Sequence, residues 1–256
     1  MSRNPIHEIA AATMLFTRLP LGRVCPMLPV ERFVHVVTWW PAVGWIISAF
    51  TAATIWFCGS LLGIAVAAVL ALICRVLLTG ALHEDGLADV ADALGGRVSR
   101  EQALTIMKDS HIGTFGVLAL IVYSMLFVAL VASVSMIDAL WMVVCSATWA
   151  RFCAGRIIVF LPYARPEGAK NRLSYARPTV VDVVVAFLFG AVPVAACVCC
   201  THSFAPLWGA LGAAVAVAML IIWFRRRIGG YTGDCCGAAC LVCEIVFMLV
   251  FCVFTR

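Results

Sequence analysis

The chain has 256 residues, of which 64% are apolar and 12% charged, with a formal net charge of +5 and a mean hydropathy of +1.06. Soluble domains are roughly 45–50% apolar and about 25% charged, so a soluble globular protein, a disordered chain and a disulfide-stapled secreted domain are all excluded. What remains is an all-α, polytopic membrane protein, short enough to form one membrane-embedded domain over residues 1–256.

At the N-terminal end, Ile9–Phe16 offers only eight uncharged residues after Glu8. That is too short to cross a bilayer, and it lacks the length and basic start of a secretory signal. A short interfacial or re-entrant helix ending at Pro20 is expected. Between Arg32 and Arg75 lie 42 residues without Asp, Glu, Lys or Arg, and between Asp182 and Arg225 another 42. A span needs about 20 such residues, so each stretch reads as two spans and a turn. The expected spans lie near 33–57, 61–80, 114–133, 139–160, 182–200, 205–224 and 236–254, about seven in all. The last carries Glu244 and either crosses or re-enters. Lys and Arg in the intervening segments number 4, 0, 3, 0, 4, 0, 3 and 1, the alternation that the positive-inside rule demands. It places the N-terminus and the loops 81–113, 161–181 and 225–235 in the cytoplasm. Most of the thirteen cysteines fall inside apolar spans, where cysteine acts as a small hydrophobe; none is assigned a metal or a disulfide.

Chemistry is expected from the polar groups that a membrane excludes. Six of the thirteen acids crowd the loop 81–113, around His83-Glu84-Asp85-Gly86-Leu87-Ala88-Asp89-Val90-Ala91-Asp92. If that segment continues the preceding helix, Asp85, Asp89 and Asp92 fall at i, i+4 and i+7, on one face. Three carboxylates in a row repel one another and call for a cation; oxygen ligands without Cys or paired His select a hard ion such as Mg²⁺. A solvated acidic face is the plain alternative. Ser99-Arg100-Glu101-Gln102 predicts a capping box opening a surface helix, which runs into Met107-Lys108-Asp109-Ser110-His111-Ile112-Gly113-Thr114-Phe115-Gly116. Lys108 suits a phosphate oxygen or a membrane boundary, and Gly113 and Gly116 let backbone approach an anion closely. In the loop after Arg225-Arg226-Arg227, Gly229-Gly230-Tyr231-Thr232-Gly233-Asp234 repeats these ingredients. Within spans, Arg151, Arg156 and Glu244 point to the bundle interior by default, as substrate contacts or as a structural ion pair among themselves.

Taken in order, Thr17-Arg18-Leu19-Pro20, the acidic block 83–96, the block 107–116, Tyr163-Ala164-Arg165 with Glu167-Gly168, and the block 229–238 resemble the cobalamin synthase (adenosylcobinamide-GDP ribazoletransferase) family from about residue 14 to residue 247. The resemblance implies a Mg²⁺-dependent membrane enzyme of the bacterial inner membrane, acting at its cytoplasmic face. It would join adenosylcobinamide-GDP to α-ribazole or its 5′-phosphate and release GMP. Its partners are these substrates and the lipid bilayer, with no nucleic acid and with room for other cobalamin-assembly enzymes. It further implies that Asp85, Asp89 and Asp92 hold the metal. Lys108 balances charge in catalysis, and the hydroxyl proton goes to Asp109, Asp234 or His83. Arg18, Ser110, Arg151, Arg165, Gly230, Thr232, Gly233 and Glu244 meet substrate. The chain departs from the family pattern at Leu241, where a first glutamate often precedes Glu244, and at Ala150 before Arg151. Two other readings are weighed: a CDP-alcohol phosphotransferase, whose D-G-x-x-A-R run is missing here, and a corrinoid or metal-ion carrier using the acidic loop as a vestibule.

Overall fold

The computed structural model describes residues 4–23, 30–165 and 176–255. Eleven α-helices are found there: α1 Pro5–Phe16, α2 Trp40–Leu62, α3 Ile64–Thr79, α4 Leu82–Gly95, α5 Arg100–Ile106, α6 Thr114–Ala132, α7 Met136–Gly155, α8 Ile157–Phe160, α9 Val180–Thr201, α10 Ala205–Ile228 and α11 Gly233–Thr255. Six spans (α2, α6, α7 with α8, α9, α10 and α11) are long and apolar enough to cross a membrane. The seventh expected span is α3, whose 16 residues cover only about 24 Å. The last helix runs unbroken for 23 residues and is long and apolar enough to cross.

Local chemistry explains where the helices begin and end. Asn4 accepts a hydrogen bond from the Ile6 amide at 3.0 Å and Pro5 fills the first turn, so α1 opens four residues before Ile9. The first span was expected from residue 33, yet its helix opens at Trp40, after a 3-10 turn over Val30–His35. Pro41 sets this boundary: it fits the first helical turn and disfavours helix before it. The helix passes through Gly59 and ends only at Gly63, whose φ is +85°, so α2 runs five residues past the expected 57. The capping box at Ser99 forms as read from the sequence.

The acidic segment is helical and carries Asp85, Asp89 and Asp92, but it does not continue the preceding span in line. Gly80 and Ala81 both adopt left-handed φ, +67° and +61°, and α4 leaves α3 at 92°. The elbow is braced by Arg18, whose amide donates to the Leu78 carbonyl at 2.7 Å. Its guanidinium fills the space where a Cβ on Gly80 would lie. Hence α4 lies across one end of the bundle while α3 runs through it.

At the centre stand the α7–α8 span and α11, each 67% buried, against 22–28% for α2, α6, α9 and α10. The outer helices show the bilayer their apolar faces, as lipid contact requires. Every element carrying a sequence-predicted motif meets at one end: the α3–α4 elbow, α5, the start of α6, the segment after α8, and the α10–α11 turn. Among the described residues, the joints at the opposite end (63, 133–135 and 202–204) carry no Lys or Arg.

Candidate active site

Two glycines let the site form. Where α4 crosses α11, a Cβ on Gly86 would sit 2.8 Å from the Asp234 carbonyl oxygen and 3.1 Å from its Cα. One on Gly237 would meet His83 backbone at 3.4 Å. Only bare backbones approach so closely, and the crossing brings Asp234 beside the acids of α4. Asp85 and Asp234 line a common cavity. Asp89, half-buried, has its carboxyl raised to about 6, first by burial and then by the charges of Asp234, Asp85 and Asp92.

Asp234 is held from two sides. Thr232 Oγ1 donates to its Oδ2 at 3.1 Å and Arg165 Nη2 does so at 3.3 Å. Arg165 is brought there by a single parallel bridge between Tyr163 and Tyr231. In it the Ala164 amide donates to the Tyr231 carbonyl at 2.8 Å and the Tyr231 amide to the Pro162 carbonyl at 2.9 Å. Gly230 is required here, because a Cβ would fall 2.3 Å from the Pro162 oxygen. Two arginines close the frame, Arg100 donating to the Ala164 carbonyl at 3.2 Å and Arg227 to the Gly96 carbonyl at 2.7 Å. Gly233, exposed, lines the cavity with Asp234.

Asp92 stands apart from the other two aspartates of its face. Its oxygens accept the Gly113 and Gly116 amides at 2.7 and 2.8 Å, capping α6 at its positive end. The anion that those glycines approach is thus the protein's own carboxylate. Among the described residues, no three His, Cys, Asp or Glu side chains are grouped so as to enclose a metal. Of the three aspartates on α4, Asp85 and Asp89 are left for a cation.

After Met107, which is buried against Thr232, residues 108–112 form an exposed turn beside this corner. Lys108 and Ser110 are exposed, and Asp109 accepts from its neighbour's amide and ring nitrogen, His111 N at 3.1 Å and Nδ1 at 2.6 Å. That contact draws the Asp109 carboxyl below its ordinary range and lifts the His111 imidazole. The Asp-x-His spacing in a turn is the sequence signal for this local contact.

His83, buried, stacks on Trp40 (centroids 5.6 Å apart, 10° between planes), and Trp40 stacks on Phe16 (5.0 Å, 14°). Burial, then the Arg151 and Arg75 charges, hold its imidazole well below the ordinary histidine range, so it is neutral. Arg18 stays at the elbow. Arg151 is wholly buried, donates to the Ala147 carbonyl at 2.7 Å, and has Nε and Nη2 without partners. Gly44 makes room for its stem. Glu244 does not pair with Arg151 or Arg156. It forms a buried two-pronged ion pair with Arg75, one contact at 2.7 Å, and the Arg75 guanidinium lies 5.3 Å from the Phe127 ring centre. Arg156 instead covers the Phe152 ring at 4.7 Å. Glu167 and Gly168 lie outside the described residues.

A family model described as cobalamin-5-phosphate synthase matches residues 8–252. An adenosylcobinamide-GDP ribazoletransferase of Leptothrix cholodnii is 36% identical, covering 95% of either chain. One of Bradyrhizobium diazoefficiens is 37% identical over 97% of this chain and 94% of its own. A third, of Leptospira interrogans, is 34% identical over 95% and 94%. No solved structure matches. A family-model match over residues 8–252, with relatives 34–37% identical over nearly the whole length, shows that the chain belongs to the cobalamin-5-phosphate synthase family.

Proposed function

We propose that this chain is an adenosylcobinamide-GDP ribazoletransferase. It joins adenosylcobinamide-GDP to α-ribazole or its 5′-phosphate and releases GMP, at the cytoplasmic face of the inner membrane with its N-terminus inside. The observation that carries this reading is the crossing of α4 on α11, which packs Asp85, Asp89 and Asp234 into one corner beside Arg165.

The donor set fits Mg²⁺. Asp89 is raised to about 6 because neighbouring carboxylates crowd it, a charge surplus that a hard cation relieves. Mg²⁺ commonly takes one or two carboxylates and completes its shell with substrate phosphates, so Asp85 and Asp89 suffice. Bound there, it would neutralise charge on the diphosphate and its leaving group. The protein's residues do the rest. Arg165, fixed by the Tyr163–Tyr231 bridge, and Lys108, on the exposed turn, supply positive charge to phosphate oxygens. Asp234, its Oδ2 fixed by Thr232 and Arg165, takes the proton of the acceptor hydroxyl as that oxygen bonds to the phosphorus bearing the cobinamide arm. The bond from that phosphorus to the GMP oxygen breaks. Asp92 holds the start of α6 against α4 and keeps the acids in register.

Basic residues on every loop at the site's end support its cytoplasmic placement. The test is turnover by purified protein in nanodiscs, with no gradient available. GMP and adenosylcobalamin formed from adenosylcobinamide-GDP, α-ribazole and Mg²⁺ support an enzyme, and their absence with an active relative as control rejects it.

A further inference from the structure

Next to the acids opens a cavity of about 150 Å³ for which phosphoryl chemistry has no use. Its walls include Phe16 from α1, Val37, Leu82 of α4 and Ile158 of α8, and its polar edge carries Asp85 and Asp234. The wall is stiff. Phe16, Trp40 and His83 form a stack whose planes diverge by at most 20°, and the glycine crossing of α4 and α11 closes the floor. Stiff apolar walls bind by dispersion and by excluding water, and an apolar cavity of about this volume holds one benzene-sized ring, so a fused bicycle seats its six-membered ring there and leaves its five-membered ring at the mouth.

This inference rests on the transferase reading, which supplies three chemically distinct groups to place. The corrin is far larger than the cavity. Guanine carries donors and acceptors along its edge, which apolar walls would leave unpaired. The base of α-ribazole, a dimethylbenzimidazole, is an apolar plane. We propose that the cavity receives the base of the acceptor nucleoside, and that Phe16, Val37, Leu82 and Ile158 determine which base is accepted. A base seated there leaves its ribose at the polar edge, beside Asp85 and Asp234. The cavity is thus the device that delivers the hydroxyl to the acids, and the donor's diphosphate occupies the other side of the same corner.

The test measures both substrates separately. Leu82 is 43% exposed, so Leu82→Trp narrows the cavity without disturbing the bundle. It should raise KM for α-ribazole about tenfold or more and leave KM for adenosylcobinamide-GDP within about twofold. Ile158→Ala should shift preference towards ribosides of bulkier bases by a similar factor. In unaltered protein, free 5,6-dimethylbenzimidazole should compete with α-ribazole and not with adenosylcobinamide-GDP, and imidazole should inhibit at least about tenfold more weakly. Competition with adenosylcobinamide-GDP instead, or unchanged acceptor selectivity in folded variants, would overturn the proposal. Should a variant fail to insert, the inhibition pattern of the unaltered protein decides. An unaltered protein that forms no GMP refutes the transferase reading itself, a different result from intact turnover with the wrong inhibition pattern.

Discussion

Gly86→Ala tests whether the α4–α11 crossing builds the site. The added methyl would stand 2.8 Å from the Asp234 carbonyl oxygen, about 0.6 Å inside the 3.4 Å at which ordinary contact begins, and its neighbour is backbone that cannot swing aside. The helices must separate by about half an ångström, which as overpacking costs roughly 1–3 kcal/mol of stability. Catalytic geometry is less forgiving: a 1 Å misplacement costs about 10²-fold, so half of it costs roughly tenfold in kcat. Gly96→Ala is the matched control, because it caps the same helix at negative φ with nothing within 4 Å of the new methyl. Both variants, reconstituted in nanodiscs, are compared for kcat per mole of folded protein and for melting temperature. A Gly86→Ala protein that matches Gly96→Ala in both would refute the claim that this approach positions Asp234.

Other residues separate structural from chemical roles. Asp92→Asn replaces one acceptor oxygen by an amide facing the Gly113 or Gly116 N–H, so it should cost about 1–3 kcal/mol of stability. Asp89→Asn should lower turnover by orders of magnitude in protein at least as stable as the unaltered chain. Glu244→Gln leaves Arg75 buried without its counter-charge and should destabilise by about 3–5 kcal/mol, with kcat of the surviving protein little changed; a large kcat loss at normal stability would instead make Glu244 a substrate contact. The half-buried Asp89 carboxyl is raised to about 6, so the metal-free fold holds its proton more tightly than the unfolded chain does. The stability it contributes is present below about pH 4 and lost as pH rises through about 6. Melting curves of Mg²⁺-free protein should show this slope, Asp89→Asn should flatten it, and a slope unchanged in that variant would clear Asp89 of the role. Lys108→Gln should lower kcat in normally inserted protein, whereas an unchanged rate returns Lys108 to the membrane boundary.

Local physics made much of this molecule legible in advance. Apolar runs of 42 residues leave little choice but paired spans, and the 3.6-residue repeat put Asp85, Asp89 and Asp92 on one helix. The Ser99 box was visible because a cap is written within four residues. What escaped depended on partners distant in the chain. Arg75 and Glu244 are 169 residues apart and Asp92 is 21 from Gly113, so nothing in either neighbourhood announced the pairing. The elbow was hidden because Ala81, which disfavours left-handed φ by about 1–2 kcal/mol, is held there by contacts around it and not by its own preference. Asp234 joined the acids of α4 through Gly86 and Gly237, whose need for bare backbone appears only once the two helices are seen to cross.

The central claim is that Asp85 and Asp89, with Asp234 across the helix crossing, perform phosphoryl transfer. The most direct measurement is GMP release from adenosylcobinamide-GDP and α-ribazole by purified protein in nanodiscs, titrated with Mg²⁺, for the unaltered chain and Asp85→Asn, Asp89→Asn and Asp234→Asn. The account predicts Mg²⁺-dependent GMP release that falls by orders of magnitude in each variant, with a raised Mg²⁺ requirement for the first two alone. GMP release at the unaltered rate in Asp85→Asn and Asp89→Asn would contradict it.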